Sequence, residues 1–209
     1  MTTGSQRLDG DRATAYPLRR REVVRRLLDL DEDLLVVAGL GAPAWDCTAA
    51  GDRALTFPLW GAMGGAAVMG LGLSIAQPDR KILVVTGDGE MLMGLGALAT
   101  IGIQKPQNLA IVVLDNERYG ETGMQLTATA GDIDLPAMAA ASGFATTRTI
   151  RNENEFGDAV AGLLTAPGPG FYSVKVRAED LPLVMPPKDG VSLKDRFRVA
   201  LLGAAQALA

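Results

Sequence analysis

The chain has 209 residues, 48% hydrophobic and 21% charged, with a net charge of −4 at pH 7. This suffices for one α/β domain, falls short of two well-cored ones, and is too apolar for intrinsic disorder. The acidic balance excludes an electrostatic footprint for nucleic acid or an anionic membrane. The absence of histidine excludes Ser-His-Asp and Cys-His nucleophile systems and His-ligated zinc.

Cys47 is the only cysteine. It leaves no disulfide or thiolate cluster within the chain, fits a reducing cytoplasm, and reads as a small buried filler. The apolar content suggests a surface covered by a partner protein. In chain order, residues 1–16 carry acidic residues and no apolar run, so they read as a polar, frayed lead-in and not a signal peptide. A single domain is expected over 17–209. From Pro17, residues Leu18, Val23, Val24, Leu27, Leu28 and Leu30 recur near helical spacing, with the proline in the first turn. The arginines of this helix, Arg19, Arg20, Arg21, Arg25 and Arg26, are expected to form a solvated face.

Aliphatic runs at 34–38, 82–86, 109–114 and 171–176 read as strands, with weaker candidates at 54–57 and 145–150. Segments of helical length lie at 61–76, 90–102, 135–142 and 153–165, and from Ser192 onward. The 16 residues of 61–76 are too few to cross a bilayer, which takes roughly 20. Alternation of strand and helix predicts an α/β fold with a mainly parallel sheet and helices on both faces. Ligands of such sheets sit at the carboxyl ends of the strands, here the loops after Ala38, Thr86 and Leu114.

The first of these loops, Gly39-Leu40-Gly41-Ala42-Pro43-Ala44, matches a dinucleotide-binding fingerprint. The next strand ends in Thr56-Phe57-Pro58, without the acid that would hold a ribose, so a nicotinamide-dependent dehydrogenase domain is only an alternative. What remains is a glycine-rich loop able to face a phosphate, or a plain strand-to-helix turn. The second loop, Gly87-Asp88-Gly89-Glu90, places a carboxylate beside free N–H groups at a helix start. A carboxylate next to a phosphate calls for a bridging cation, and Mg²⁺ takes hard oxygen ligands of this kind. Asp115-Asn116, at the tip of the following strand, offers a second ligand.

Gly87-Asp88-Gly89, followed after 26 residues by Asn116, resembles the thiamin-diphosphate signature. Leu59-Trp60-Gly61-Ala62-Met63 is similar to the segment that wedges that cofactor, with Met63 standing 25 positions before Asp88. The resemblance spans about residues 20–180 and covers only the diphosphate-binding half of such enzymes. The length, the AGLGAP loop and the DNERYGETGMQ segment most resemble the small (beta) subunit of split decarboxylases of the sulfopyruvate and phosphonopyruvate type.

The resemblance implies a thiamin-diphosphate- and Mg²⁺-dependent decarboxylase of a small anionic 2-oxoacid. It would be cytoplasmic and active with a separate pyrimidine-domain (alpha-type) subunit. An acetolactate-synthase-like carboligase subunit is the alternative within the family. The Mg²⁺ ligands would be Asp88, the Asn116 side chain and the carbonyl of Arg118. Gly39, Leu40, Gly41 and Ala42 would cradle the diphosphate together with Gly87, Gly89 and Glu90. Gly61, Ala62 and Met63 would flank the pyrimidine. Gly61 is expected to accept a hydrogen bond from the cofactor amino group, and Met63 to hold the cofactor bent, which makes these two the catalytic positions. Tyr119, Gly120 and Glu121 would lie over the reaction centre, with Thr122 and Gln125 as polar contacts. Without histidine, protons must come from the partner, the cofactor or water. Glu121 is the misfit, since an unpaired carboxylate there would repel a dianionic substrate.

Overall fold

The computed structural model describes residues 10–131 and 133–207. Eight strands form: β1 (Leu35–Ala38), β2 (Thr56–Pro58), β3 (Ile82–Gly87), β4 (Leu109–Asp115), β5 (Arg118–Tyr119), β6 (Gln125–Leu126), β7 (Thr146–Ile150) and β8 (Gly170–Lys175). The helices are α1 (Arg20–Leu28), α2 (Ala42–Ala49), α3 (Ala66–Ala76), α4 (Asp88–Met93), α5 (Ala97–Gln104), α6 (Leu135–Ala141), α7 (Glu153–Gly162), α8 (Gly190–Leu202) and α9 (Ala204–Ala207).

Six strands make one sheet in the order β2-β1-β3-β4-β8-β7, with every pairing parallel, and β5-β6 is a small antiparallel pair. The predicted parallel α/β fold is therefore present. The aliphatic runs are continuous because both faces of the sheet are covered. Val36, Leu83, Val85, Val112 and Val174 pack with α1, α2 and α7, while Leu35, Val37, Val84, Ile111 and Phe171 pack with α3, α5 and α6. The chain leaves β1 toward β2 on one side and returns to β3 on the other, so a crevice opens at the carboxyl ends of β1 and β3.

One helix was not expected, and three expectations are corrected. Helix α2 escapes the sequence pattern because five consecutive residues, Pro43 to Cys47, are buried, which leaves no amphipathic period. The segment expected to be helical over 61–76 is helical only from Ala66, and the one over 90–102 is split at Gly94. Both changes have one cause. A Cβ on Gly94 would stand 2.2 Å from the Gly64 carbonyl oxygen, so the turn before α3 packs directly on the break between α4 and α5. Pro17 lies outside α1, which starts at Arg20.

The lead-in is also not frayed where it is described. Residues Arg12–Ala15 form a 3-10 turn with Ala13 buried, and Ala178 N–H donates to the Ala13 carbonyl at 2.9 Å. Residues 1–9 of the expected lead-in lie outside the described residues. Cys47 is buried as expected, and burial pushes its thiol well above the ordinary range.

Candidate active site

The tips of β1, β3, β4 and β8 enclose a cavity of about 390 Å³. Asp88 and Asn116, 28 positions apart in sequence, both line it, because β3 and β4 are hydrogen-bonded neighbours ending in register. Asp88 is 1% exposed. Its Oδ2 accepts from Thr127 Oγ1 at 2.5 Å and Thr129 Oγ1 at 3.1 Å. Thr129 Oγ1 also lies 2.8 Å from Asp115 Oδ1, so one hydroxyl proton is shared between two buried carboxylates. Burial first, then the charge of Asp115, pushes the Asp88 carboxyl up to about 7, against the lowering effect of the two threonines. Asn116 Oδ1 accepts the Arg118 backbone N–H at 3.0 Å and keeps a second lone pair.

The turn between these groups is held from behind. Glu117 has φ +61, a costly conformation for a non-glycine residue, and is fully buried. Arg12 grips its carboxylate with two donors at 2.7 and 3.2 Å, Tyr16 donates at 2.7 Å and Lys175 at 2.9 Å. Burial alone would raise the Glu117 carboxyl, yet these three donors together hold it below its ordinary value. Lys175 also pairs with Asp115 at 2.8 Å, directly across the β4-β8 ladder. The lead-in thus braces the turn that aims Asn116.

Glu90 joins the other loops. Its Oε2 accepts from Thr86 at 2.7 Å, and a Cβ on Gly39 would fall 1.8 Å from the same oxygen, so only glycine fits there. Burial raises this carboxyl, opposed by Thr86 and by the N–H groups of Leu40, Gly64 and Ala66 that face it. Met63 lines the cavity between two left-handed residues, Ala62 at φ +57 and Gly64 at φ +93.

Of the expected site residues, Leu40, Ala42, Met63, Gly87, Asp88, Gly89, Glu90, Asn116, Arg118, Tyr119, Gly120 and Glu121 line the cavity. Gly39, Gly41, Gly61 and Ala62 do not. The first two lie behind the loop against Glu90 and Glu121, and Gly61 is exposed. Thr122 lines the cavity, whereas Gln125 is tied back to it by two 2.8 Å hydrogen bonds. Glu121 is not unpaired, because the Trp45 indole N–H donates to it at 3.0 Å.

The arginines of α1 are not merely solvated. Arg19 pairs with Glu179, Arg20 and Arg21 with Asp46, and Arg26 with Glu153. Sequence reading also missed Thr127, Thr129, Trp45 and the irregular strap after β8, whose Leu181 and Leu183 line the cavity. The alternation in LTATA was the one available signal for the threonines.

The donor set suits a hard cation. It offers the Asp88 carboxylate and the Asn116 amide oxygen, and no group of three or more Cys, Asp or Glu is placed to hold a metal among the described residues. A cation there would need oxygens from a bound ligand to complete its shell.

Residues 41–174 match the thiamine pyrophosphate enzyme C-terminal TPP binding domain. The chain is 38% identical over 170 residues to phosphonopyruvate decarboxylase of Streptomyces viridochromogenes, covering 81% of this chain and 42% of that one. It is 37% identical over 189 residues to sulfopyruvate decarboxylase subunit beta of Methanothermobacter thermautotrophicus, covering 90% of this chain and 98% of that one. The chain thus spans less than half of the first relative and nearly all of the second. Benzoylformate decarboxylase from Polynucleobacter necessarius shares the fold, with a TM-score of 0.65 at 20% identity over 82% of this chain and 35% of that one.

Proposed function

Because the chain belongs to the thiamine pyrophosphate enzymes, as their C-terminal TPP binding domain, we propose that it is one subunit of a Mg²⁺-dependent decarboxylase of a small anionic 2-oxoacid. It acts with a separate pyrimidine-domain subunit in the cytoplasm. The observation that carries this reading is the meeting of Asp88 and Asn116 in the lining of one cavity, beside a glycine loop packed against Glu90.

In this reading Asp88, Asn116 and the Arg118 carbonyl would hold the cation, and Leu40 and Ala42 with Gly87 and Gly89, which line the cavity, would receive the diphosphate. When bound, thiamin diphosphate supplies a nucleophilic carbon and an electron sink for carbon–carbon cleavage. Met63 presses on the cofactor from the rim, kept in place by the strained turn around it. Thr122 and Tyr119, which line the same cavity, would orient the reacting group, with Leu181 and Leu183 beside them.

Two facts support a partner subunit. The relative whose length this chain matches is named a beta subunit. Val68, Met69 and Ile75 on α3 and Met93 on α4 are large exposed apolar side chains. A 2-oxoacid is the substrate class of the relatives named phosphonopyruvate and sulfopyruvate decarboxylase.

The test is carbon dioxide release from pyruvate, sulfopyruvate and phosphonopyruvate, with thiamin diphosphate and Mg²⁺, by the chain alone and mixed with a candidate pyrimidine-domain subunit. Activity that appears only on mixing is expected. Robust turnover by the chain alone would overturn the split-site reading, and condensation products in place of the aldehyde would reassign the reaction to carboligation.

A further inference from the structure

Arg20, the first residue of α1, lines the cavity yet is 8% exposed. Among the described residues its ion-pair partner is Asp46, with Nε 3.3 Å from Oδ2, and the buried Nε makes no hydrogen bond. The surrounding cations are committed. Arg19 pairs with Glu179, Arg21 donates to Asp46 Oδ1 at 3.0 Å and to the Pro182 carbonyl, and Arg118 donates to the carbonyls of Glu117 and Gly10.

Two guanidinium groups therefore share the single carboxylate of Asp46. A guanidinium presents a planar fork of donors whose burial without partners is costly, and its natural complement is a carboxylate, sulfonate or phosphate oxygen pair. Of the acids on the same wall, Glu179 is taken by Arg19, Glu121 is held by Trp45 and Asp180 is exposed.

We infer that Arg20 is the oxyanion-binding residue of this cavity. The ligand chemistry is a phosphate, phosphonate, sulfonate or carboxylate group, and under the proposed function it has two sources, the cofactor diphosphate or the anionic end of the 2-oxoacid. This rests on the decarboxylase reading for the identity of the oxyanion, not for its binding.

The test uses the full chain and inorganic pyrophosphate, methylphosphonate and thiamin diphosphate with Mg²⁺. Binding is read by calorimetry and by the fluorescence of the cavity-lining Trp45. Wild type is compared with Arg20→Gln, Arg20→Lys and Arg20→Met, all of which leave Asp46 paired with Arg21. Circular dichroism checks the fold.

Loss of roughly ten- to a hundredfold in affinity for at least one simple anion, partly restored in Arg20→Lys, is expected. In the assembled enzyme, a raised KM for the 2-oxoacid with unchanged cofactor affinity assigns the group to the substrate, and the reverse assigns it to the diphosphate. Equal affinities in wild type and the folded variants, or no anion binding by wild type, would overturn the inference. Arg20-dependent pyrophosphate binding without thiamin-diphosphate binding would leave the inference standing and refute the proposed function instead.

Discussion

Replacing Asp88 with asparagine is expected to make the cation-free chain more stable at pH 8 while abolishing its response to thiamin diphosphate and Mg²⁺. The folded carboxyl titrates at about 7 because burial and Asp115 disfavour its charge. In the unfolded chain the same group titrates at about 3.9. A raised folded value means that the folded state binds the proton more tightly, so the stabilisation is complete below the unfolded value and is lost as pH rises from about 4 to about 7. Three units correspond to a ceiling of about 4 kcal/mol.

Asparagine keeps an oxygen acceptor for Thr127 and Thr129 and carries no charge, so it should recover about half of this, roughly 6 °C in Tm for a chain of this size. The assay is thermal unfolding by circular dichroism in a chelator at pH 8 and pH 5, repeated with thiamin diphosphate and Mg²⁺. The gap between variant and wild type should narrow at pH 5, and only wild type should gain Tm from the ligands. A variant no more stable than wild type at pH 8, or a gap independent of pH, would refute the electrostatic account of this site.

Other perturbations address the brace and the rim. Because its three donors hold Glu117 below its ordinary value, its contribution is present above about pH 4.5 and lost as pH falls further. Protection of the Ala178 amide, which donates to Ala13, measured against its intrinsic exchange rate at each pH, should therefore fall on acidification, and Glu117→Gln should show reduced protection already at neutral pH. Met63→Ala should lower kcat in the assembled enzyme more than it weakens cofactor binding, as kinetics beside a cofactor titration would show; unchanged kcat would make Met63 packing only. Gly94→Ala forces a Cβ to within 2.2 Å of the Gly64 carbonyl and should cost about 1–3 kcal/mol in denaturant unfolding, whereas Gly96→Ala, with open space around it, should be nearly neutral.

Much of this protein was legible because its chemistry is linear in the chain. Three doubly covered strands announce themselves as unbroken aliphatic runs, and the loops that follow them carry Asp88 and Asn116 at strand tips that any parallel pairing of β3 and β4 brings together. The glycines at 39 and 89 were readable as places where backbone must come close. The sequence offered no comparable sign for α2, where uninterrupted burial erases the helical period, or for the break at Gly94, which depends on a turn 30 positions earlier.

The sequence by itself determined the strands of the main sheet, their alternation with helices, and the residue types that converge on a hard cation, because hydrophobic period and loop chemistry are local properties. Tertiary structure alone decided which charges are buried and with whom. Arg20 belongs to a run of arginines on a helix that looks solvated, yet α2 and the strap after β8 close over it. Thr127 and Thr129 reach Asp88 across some forty positions, and Arg12 reaches Glu117 across 105. Desolvation and charge pairing act through space over a few ångströms, and separations of that size are fixed only when the sheet has set its strand order.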